Sequence, residues 1–185
     1  MIGRYAIHGH AIISADDRIA AADGTVPDAL RDEADWQRFQ AALDRAAVTV
    51  LGRRGHEANP NSARRKRLVL SASVEGIEDR PDAIWWNPNG AAVGEALARA
   101  APGGGVAAVA GGRRVFDLFL RLGFEEFHLA RAAGARIPDG IPVFSGVAEG
   151  LSADDVLAAH GLVVVHREVL DRRANVTLAI WRREN

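Results

Sequence analysis

The sequence predicts a single α/β domain: a three-layer arrangement whose central sheet is mostly parallel and is closed at its C-terminal edge by an antiparallel hairpin. Three observations predict it. Short apolar, β-branched runs alternate with segments of helical period, the pattern that builds parallel sheets covered by helices. Towards the C-terminus the alternation gives way to consecutive strand-like runs, which read as an antiparallel ribbon. The 185 residues are about the length of one domain with one core, and no linker-like stretch divides them.

The first strand is the apolar run over residues 5–14, which stops at Asp16-Asp17. Residues 19–27, rich in Ala, Asp, Gly and Thr, have neither helical nor strand period and read as an irregular segment over a site. Asp32 then stands as a helix N-cap, and Trp36, Phe39, Leu43 and Ala46 or Ala47 recur at three- and four-residue steps to give one apolar face.

The second strand, 48–51, ends at Gly52. Three further runs follow the same outline. Residues 68–70 lead to Ser71-Ala72-Ser73, 83–86 to Asn87-Pro88, and 106–110 to Gly111-Gly112. Helices are predicted over 91–100 and 113–122. A strand over 124–130 comes next, and runs 162–169 and 176–181, joined by Asp171-Arg172-Arg173-Ala174, form the closing hairpin. That hairpin can complete its own sheet or pair with a second copy, so a monomer or a homodimer is expected.

Composition removes several classes of function. Lys plus Arg (23) nearly balances Asp plus Glu (24), so no global field favours nucleic acid or an anionic membrane. Cysteine is absent, which excludes disulfides, thiolate metal sites and a cysteine nucleophile. No apolar stretch approaches the ~20 residues that span a bilayer, and the N-terminus lacks the pattern of a secretory signal. A cytoplasmic protein acting on a small molecule is the expectation.

The chemistry is expected where strands end. Gly111-Gly112-Arg113-Arg114 stands between a strand and a helix, where free backbone N–H groups and the helix dipole favour a phosphate. Gly52-Arg53-Arg54-Gly55-His56 has the same topology, its arginines offering bidentate guanidinium groups, and Ser71 and Ser73 add hydroxyls at the next strand end. Two strand-end anion sites in one sheet suit a dinucleotide. Gly103-Gly104-Gly105 precedes its strand and reads as a connector, and Arg64-Arg65-Lys66-Arg67 reads as a solvated basic turn. His8 and His10 share one face of a strand, but with no evident third ligand beside them no metal site is expected.

These segments resemble the dihydrofolate reductase-like superfamily, in family order and over most of residues 5–144. Gly111 to Leu120 is similar to the glycine-rich turn and helix of dihydrofolate reductases, Val50-Leu51-Gly52-Arg53-Arg54 to their phosphate-holding strand and turn, and Leu70-Ser71-Ala72-Ser73 to the strand end beside the adenosine ribose. Ser14-Ala15-Asp16-Asp17-Arg18-Ile19-Ala20, with Gly123 to Phe127 and Gly140 to Phe144, also resembles the riboflavin-biosynthesis reductase branch.

The resemblance implies NADPH as cofactor, held by Ile19, Ala20, Gly52, Arg53, Arg54, Ser71, Gly111, Gly112, Arg113, Arg114 and Val115. It also implies one carboxylate on the first helix that binds a pterin and helps deliver a proton. Two registers compete for it: Asp35 with Phe39 keeps the family's spacing from acid to aromatic, while Glu33 with Trp36 keeps its spacing from acid to tryptophan. The distance to Gly52 fits Asp35 better. Trp36 and Phe39 are the implied substrate contacts. Arg113 stands at the third glycine of the family turn, and Asp28-Ala29-Leu30 replaces the expected aromatic at the substrate mouth.

The activity implied is reduction of a C=N bond in a pterin, dihydrofolate or a related dihydropterin, as in one-carbon metabolism. Reduction of a ribosylamino-pyrimidinone in the manner of the riboflavin branch, with Ser14 or Asp16 important and the helix acid dispensable, is the alternative, as is NADPH binding without catalysis.

Overall fold

The computed structural model describes residues 1–184. Eleven strands and six helices follow one another as β1 Tyr5–Ser14, β2 Arg18–Ala20, α1 Glu33–Arg45, β3 Val48–Gly52, α2 Arg53–Ala58, β4 Arg67–Leu70, β5 Ile77–Asp79, β6 Ile84–Trp86, α3 Val93–Ala100, β7 Gly105–Gly111, α4 Arg113–Leu122, β8 Glu126–Ala132, β9 Ile141–Pro142, α5 Ser145–Ala148, α6 Ala153–Ala159, β10 Leu162–Asp171 and β11 Val176–Arg183. Nine strands form one sheet in the order β10-β11-β8-β1-β7-β3-β4-β6-β5, and β2 pairs with β9 apart from it.

The six central strands, β8 to β6 in that order, are mutually parallel. The predicted antiparallel hairpin is present, with β11 antiparallel to β8 and β10 outermost. The other edge is antiparallel as well: β5, which has no apolar run to announce it, turns back along β6. Strand β10 leaves Val163, Val165 and Val169 exposed.

Alternation along β1 separates two faces. Tyr5 and Ile7 enter the main core with Ala96 and Leu97 of α3 and Phe116 and Phe119 of α4. His8 and His10 point the other way, where Phe39 of α1 meets His10 at a ring-centroid distance of 6.0 Å. Gly9 between them is obligatory, because a Cβ there would lie 2.2 Å from Cδ2 of Phe127 on the neighbouring strand.

Both hairpin strands run two residues further than expected, to Asp171 and Arg183, and three other boundaries also differ from expectation. Residues 18–20 form β2 instead of an irregular segment, because Arg18 and Ala20 find backbone partners in Pro142 and Ile141, more than a hundred residues away. The strand expected at 124 begins at Glu126, since Phe124 is a fully buried core residue of the preceding turn. Helix α3 begins at Val93, with Ala92 as its cap. No helix among the described residues is long and apolar enough to cross a membrane.

Candidate functional site

The carboxyl ends of β3, β4 and β7 come together at one edge. Here the chain, having walked outwards from β3 to β6, returns to β7 beside β1 before crossing to β8, the kind of reversal at which α/β sheets bind ligands. Strand β7 ends at Gly111 with φ of +97°, and a Cβ at that position would lie 2.7 Å from the Phe116 ring. Glycine is required on both counts.

Gly112 caps α4 without a side chain, and the N–H groups of Arg113 and Arg114 find no backbone acceptor among the described residues. These free donors sit at the positive end of the α4 dipole. Gly52 approaches the same turn, since its Cβ would stand 3.4 Å from Val115. Pairing of Gly52 with Leu70 puts Ser71 one residue beyond, where its hydroxyl meets that of Ser73 at 2.8 Å.

Around this edge Arg54 and Arg114 are exposed, and neither they nor Arg113 form an ion pair among the described residues. Arg53 is also exposed, with Glu57 3.5 Å away. Unpaired guanidinium groups, free N–H donors and glycine turns fit the phosphates of a dinucleotide. The basic run at 64–67 lies elsewhere, at the amino end of β4. Its Arg65 is held by Asp44 and Gln40, and its Arg67 by the carbonyl of Asn59 and by His56.

Helix α1 carries the candidate acids. Asp32 caps it by accepting from the N–H of Asp35 at 2.9 Å, and between parallel β1 and β3 its N-terminus returns to the carboxyl edge of the sheet. The Asp35 side chain is half-buried, and burial, with the Asp32 carboxylate adding to it and Arg38 opposing it, pushes its pKa up to about 6. Glu33 is exposed and accepts a hydrogen bond from the Gln37 amide at 2.8 Å. Trp36, expected on the buried face, is 52% exposed. Leu43 is the one buried residue of α1.

Phe39 lies between Trp36, at 6.0 Å, and His10. His10 stacks on His128 with centroids 4.7 Å apart, and burial pushes its imidazole down to about 3, the neighbouring His128 and His8 adding to the effect. A half-buried carboxyl group such as that of Asp35 can hold a proton near neutral pH.

The segment after β1 is fastened by polar contacts. Ser14, fully buried, donates to Asp16 at 2.6 Å and accepts from the N–H of Arg18, while Asp16 also accepts from the N–H of Ile137. Asp17 pairs with Arg131, accepts from the N–H of Ala153 at 2.8 Å, and shares Arg131 with Asp154. Ile19 is half-buried and Ala20 buried on β2. No local motif announces the Asp17, Arg131 and Asp154 cluster, whose members are separated by 114 and 23 positions.

No family model matches the chain, and no curated relative does. Solved structures do match. A putative riboflavin biosynthesis protein from Shewanella sp. PV-4 is similar at 20% identity and a TM-score of 0.69, over 97% of this chain and 99% of that one. The diaminohydroxyphosphoribosylaminopyrimidine deaminase/5-amino-6-(5-phosphoribosylamino)uracil reductase of Thermotoga maritima is similar at 18% and 0.68, over 98% of this chain and 57% of the longer one. Dihydrofolate reductase from Enterococcus faecalis, complexed with NADP(H) and RAB-propyl, is similar at 16% and 0.65, over 97% of each chain. The sheet order, the antiparallel hairpin and these likenesses together give the chain the fold of the dihydrofolate reductase-like superfamily.

Proposed function

We propose that this protein is an NADPH-dependent reductase that delivers a hydride to the carbon, and a proton to the nitrogen, of a C=N bond in a pterin. The observation that carries the reading is Asp35, a half-buried carboxyl group near the carboxyl edge of the sheet whose pKa is pushed up to about 6. Such a group accepts paired N–H donors of a pterin when ionised and holds a proton when it is not.

NADPH, when bound, supplies the hydride. The glycine turns at Gly52 and Gly111-Gly112 bring backbone close to its phosphates, and Arg54, Arg113 and Arg114 complement their charge. Arg53 is the residue proposed for the 2′-phosphate, exchanging its Glu57 partner for it. Ile19 and Ala20 on β2 flank the nicotinamide, and Trp36 and Phe39 line the substrate side. Asp35 orients the pterin ring and stabilises the proton at its nitrogen, while the α1 wall limits access of water.

The test is loss of NADPH absorbance with dihydrofolate, run beside Asp35→Asn and Glu33→Gln. Asp35→Asn is expected to lower turnover by ~10²–10⁴-fold, the usual contribution of a positioned proton donor, and Glu33→Gln to change it little. Because the protonated form exists below about 6, the rate of the chemical step falls as pH rises through that value, and Asp35→Asn removes this dependence. Equal loss in both variants, or none in either, sinks the assignment.

A second reading is favoured by one observation, the hydrogen bond from buried Ser14 to part-buried Asp16 in the segment that resembles the riboflavin branch. Under it the substrate is a ribosylamino-pyrimidinone, Asp35→Asn keeps activity on that compound, and Asp16→Asn loses it.

A further inference from the structure

Strands β1 and β8 run in parallel with His8 opposite Glu126 and His10 opposite His128. Phe127, between Glu126 and His128, points into the main core with Ile7, so all four polar side chains share the opposite face. The ligand atoms of His8, Glu126 and His128 all lie within 4.8 Å of one another. Nε2 of His128 is 3.2 Å from Oε2 of Glu126. Arg182 of β11 holds the other carboxylate oxygen, with Nε at 2.9 Å and Nη2 at 2.6 Å.

We propose that His8, Glu126 and His128 form a binding site for a divalent transition-metal ion of the Zn²⁺ type. Two nitrogens and one oxygen are the donor set of many open zinc sites. With ligand atoms about 2.0–2.1 Å from the ion, the edges of a tetrahedron are roughly 3.3 Å long. The Glu126–His128 pair is already at that separation, and side-chain rotation on the two strands closes the rest. The carboxylate is oriented by Arg182, as ligating carboxylates are oriented by outer partners, and His128 is braced by the His10 ring stacked on it. The three ligands are only partly buried, which leaves the fourth position to water.

The charge balance sets the affinity. Two neutral imidazoles, one carboxylate and the adjoining guanidinium sum to zero before the ion arrives, so binding at micromolar concentrations is expected instead of the much tighter binding of thiolate sites. An ion here would tie β1 to β8 and fix the His10 ring that faces Phe39. The inference does not depend on the reductase reading.

The test uses untagged, chelator-treated protein titrated with ZnCl₂ by calorimetry and with Co²⁺ by visible absorption. One saturable ion per chain is expected. His8→Ala and Glu126→Gln, with folding verified by circular dichroism, should each weaken binding by at least about 100-fold, since even outer partners of metal ligands contribute 10–100-fold. His160→Gln, on α6 against the opposite face of the sheet, should not. Should a variant fail to fold, the wild type gives its own readout: Zn²⁺ should shift the ring resonances of His8 and His128 and leave those of His160 in place. Non-saturable uptake, equal affinity in all variants, or unmoved His8 and His128 resonances would overturn the proposal.

Discussion

Two helices that flank the carboxyl edge of the sheet are built in opposite ways. Helix α4, ten residues long, buries Val115, Phe116, Phe119 and Leu120 in the main core, where Phe116 also meets Phe127 and Phe144 edge-on at 5.4 and 6.1 Å. Helix α1, three residues longer at thirteen, buries only Leu43, with its Phe39 against His10 and its Trp36 turned to solvent. The phosphate-binding candidates thus stand on the firmly packed element and the proton-handling candidate on the loosely packed one. A site for an invariant cofactor gains from rigidity, while a surface that must admit and release a substrate draws on the less stable parts of a fold.

The largest test of this contrast is truncation. Phe119→Ala is expected to cost about 4 kcal/mol in urea denaturation, within the range for a fully buried aromatic, and Phe39→Ala about 1–2 kcal/mol because it leaves an open surface and no enclosed cavity. Equal costs would break the comparison. Next comes backbone strain. Gly111→Ala combines a positive φ with overlap of its Cβ on the Phe116 ring, and should cost about 3 kcal/mol and weaken NADPH binding. Gly112→Ala, whose Cβ meets nothing, should cost under about 1 kcal/mol.

A smaller effect with a definite sign is expected at Asp35. Its carboxyl takes up protons more readily in the folded state than in the unfolded chain, where the value is 3.8. Its contribution to stability is therefore fully present below pH 3.8 and is lost as pH rises through about 6. Asp35→Asn should accordingly stabilise the protein at pH 8, by about 2–3 kcal/mol at most, and have little effect at pH 4. Thermal denaturation at the two pH values checks it, and a gain at pH 4 alone would contradict it. The smallest change is expected at Arg53, where Arg53→Ala should narrow a preference for NADPH over NADH by roughly tenfold. Equal affinities in the wild type would sink the assignment of the 2′-phosphate to Arg53.

How far the sequence could be read follows the same division. Glycine at the end of a β-branched run is a local signal, and it located both Gly52 and Gly111 at turns, the first of which the fold brings within van der Waals reach of Val115 on the helix that follows the second. Spacing on α1 left Glu33 and Asp35 as alternatives, since both occupy its first turn. Their environments differ in burial, which leaves Glu33 exposed and Asp35 half-buried. His8 and His10 formed a pair without a third partner until the register of β8 set His128 and Glu126 beside them.

By itself, then, the sequence determined the order and type of the main strands and helices, the α/β class and the glycine turns at the ends of β3 and β7, because periodicity, capping and glycine conformation are properties of neighbouring residues. Only the tertiary structure decided that β5 closes the second edge, that β2 finds β9, that the basic run at 64–67 is occupied by Asp44, Gln40 and His56, which acid on α1 is half-buried, and that His8, Glu126 and His128 from two strands converge. Burial and pairing depend on residues up to a hundred or more positions apart, and a register between strands is fixed only when the whole sheet is assembled.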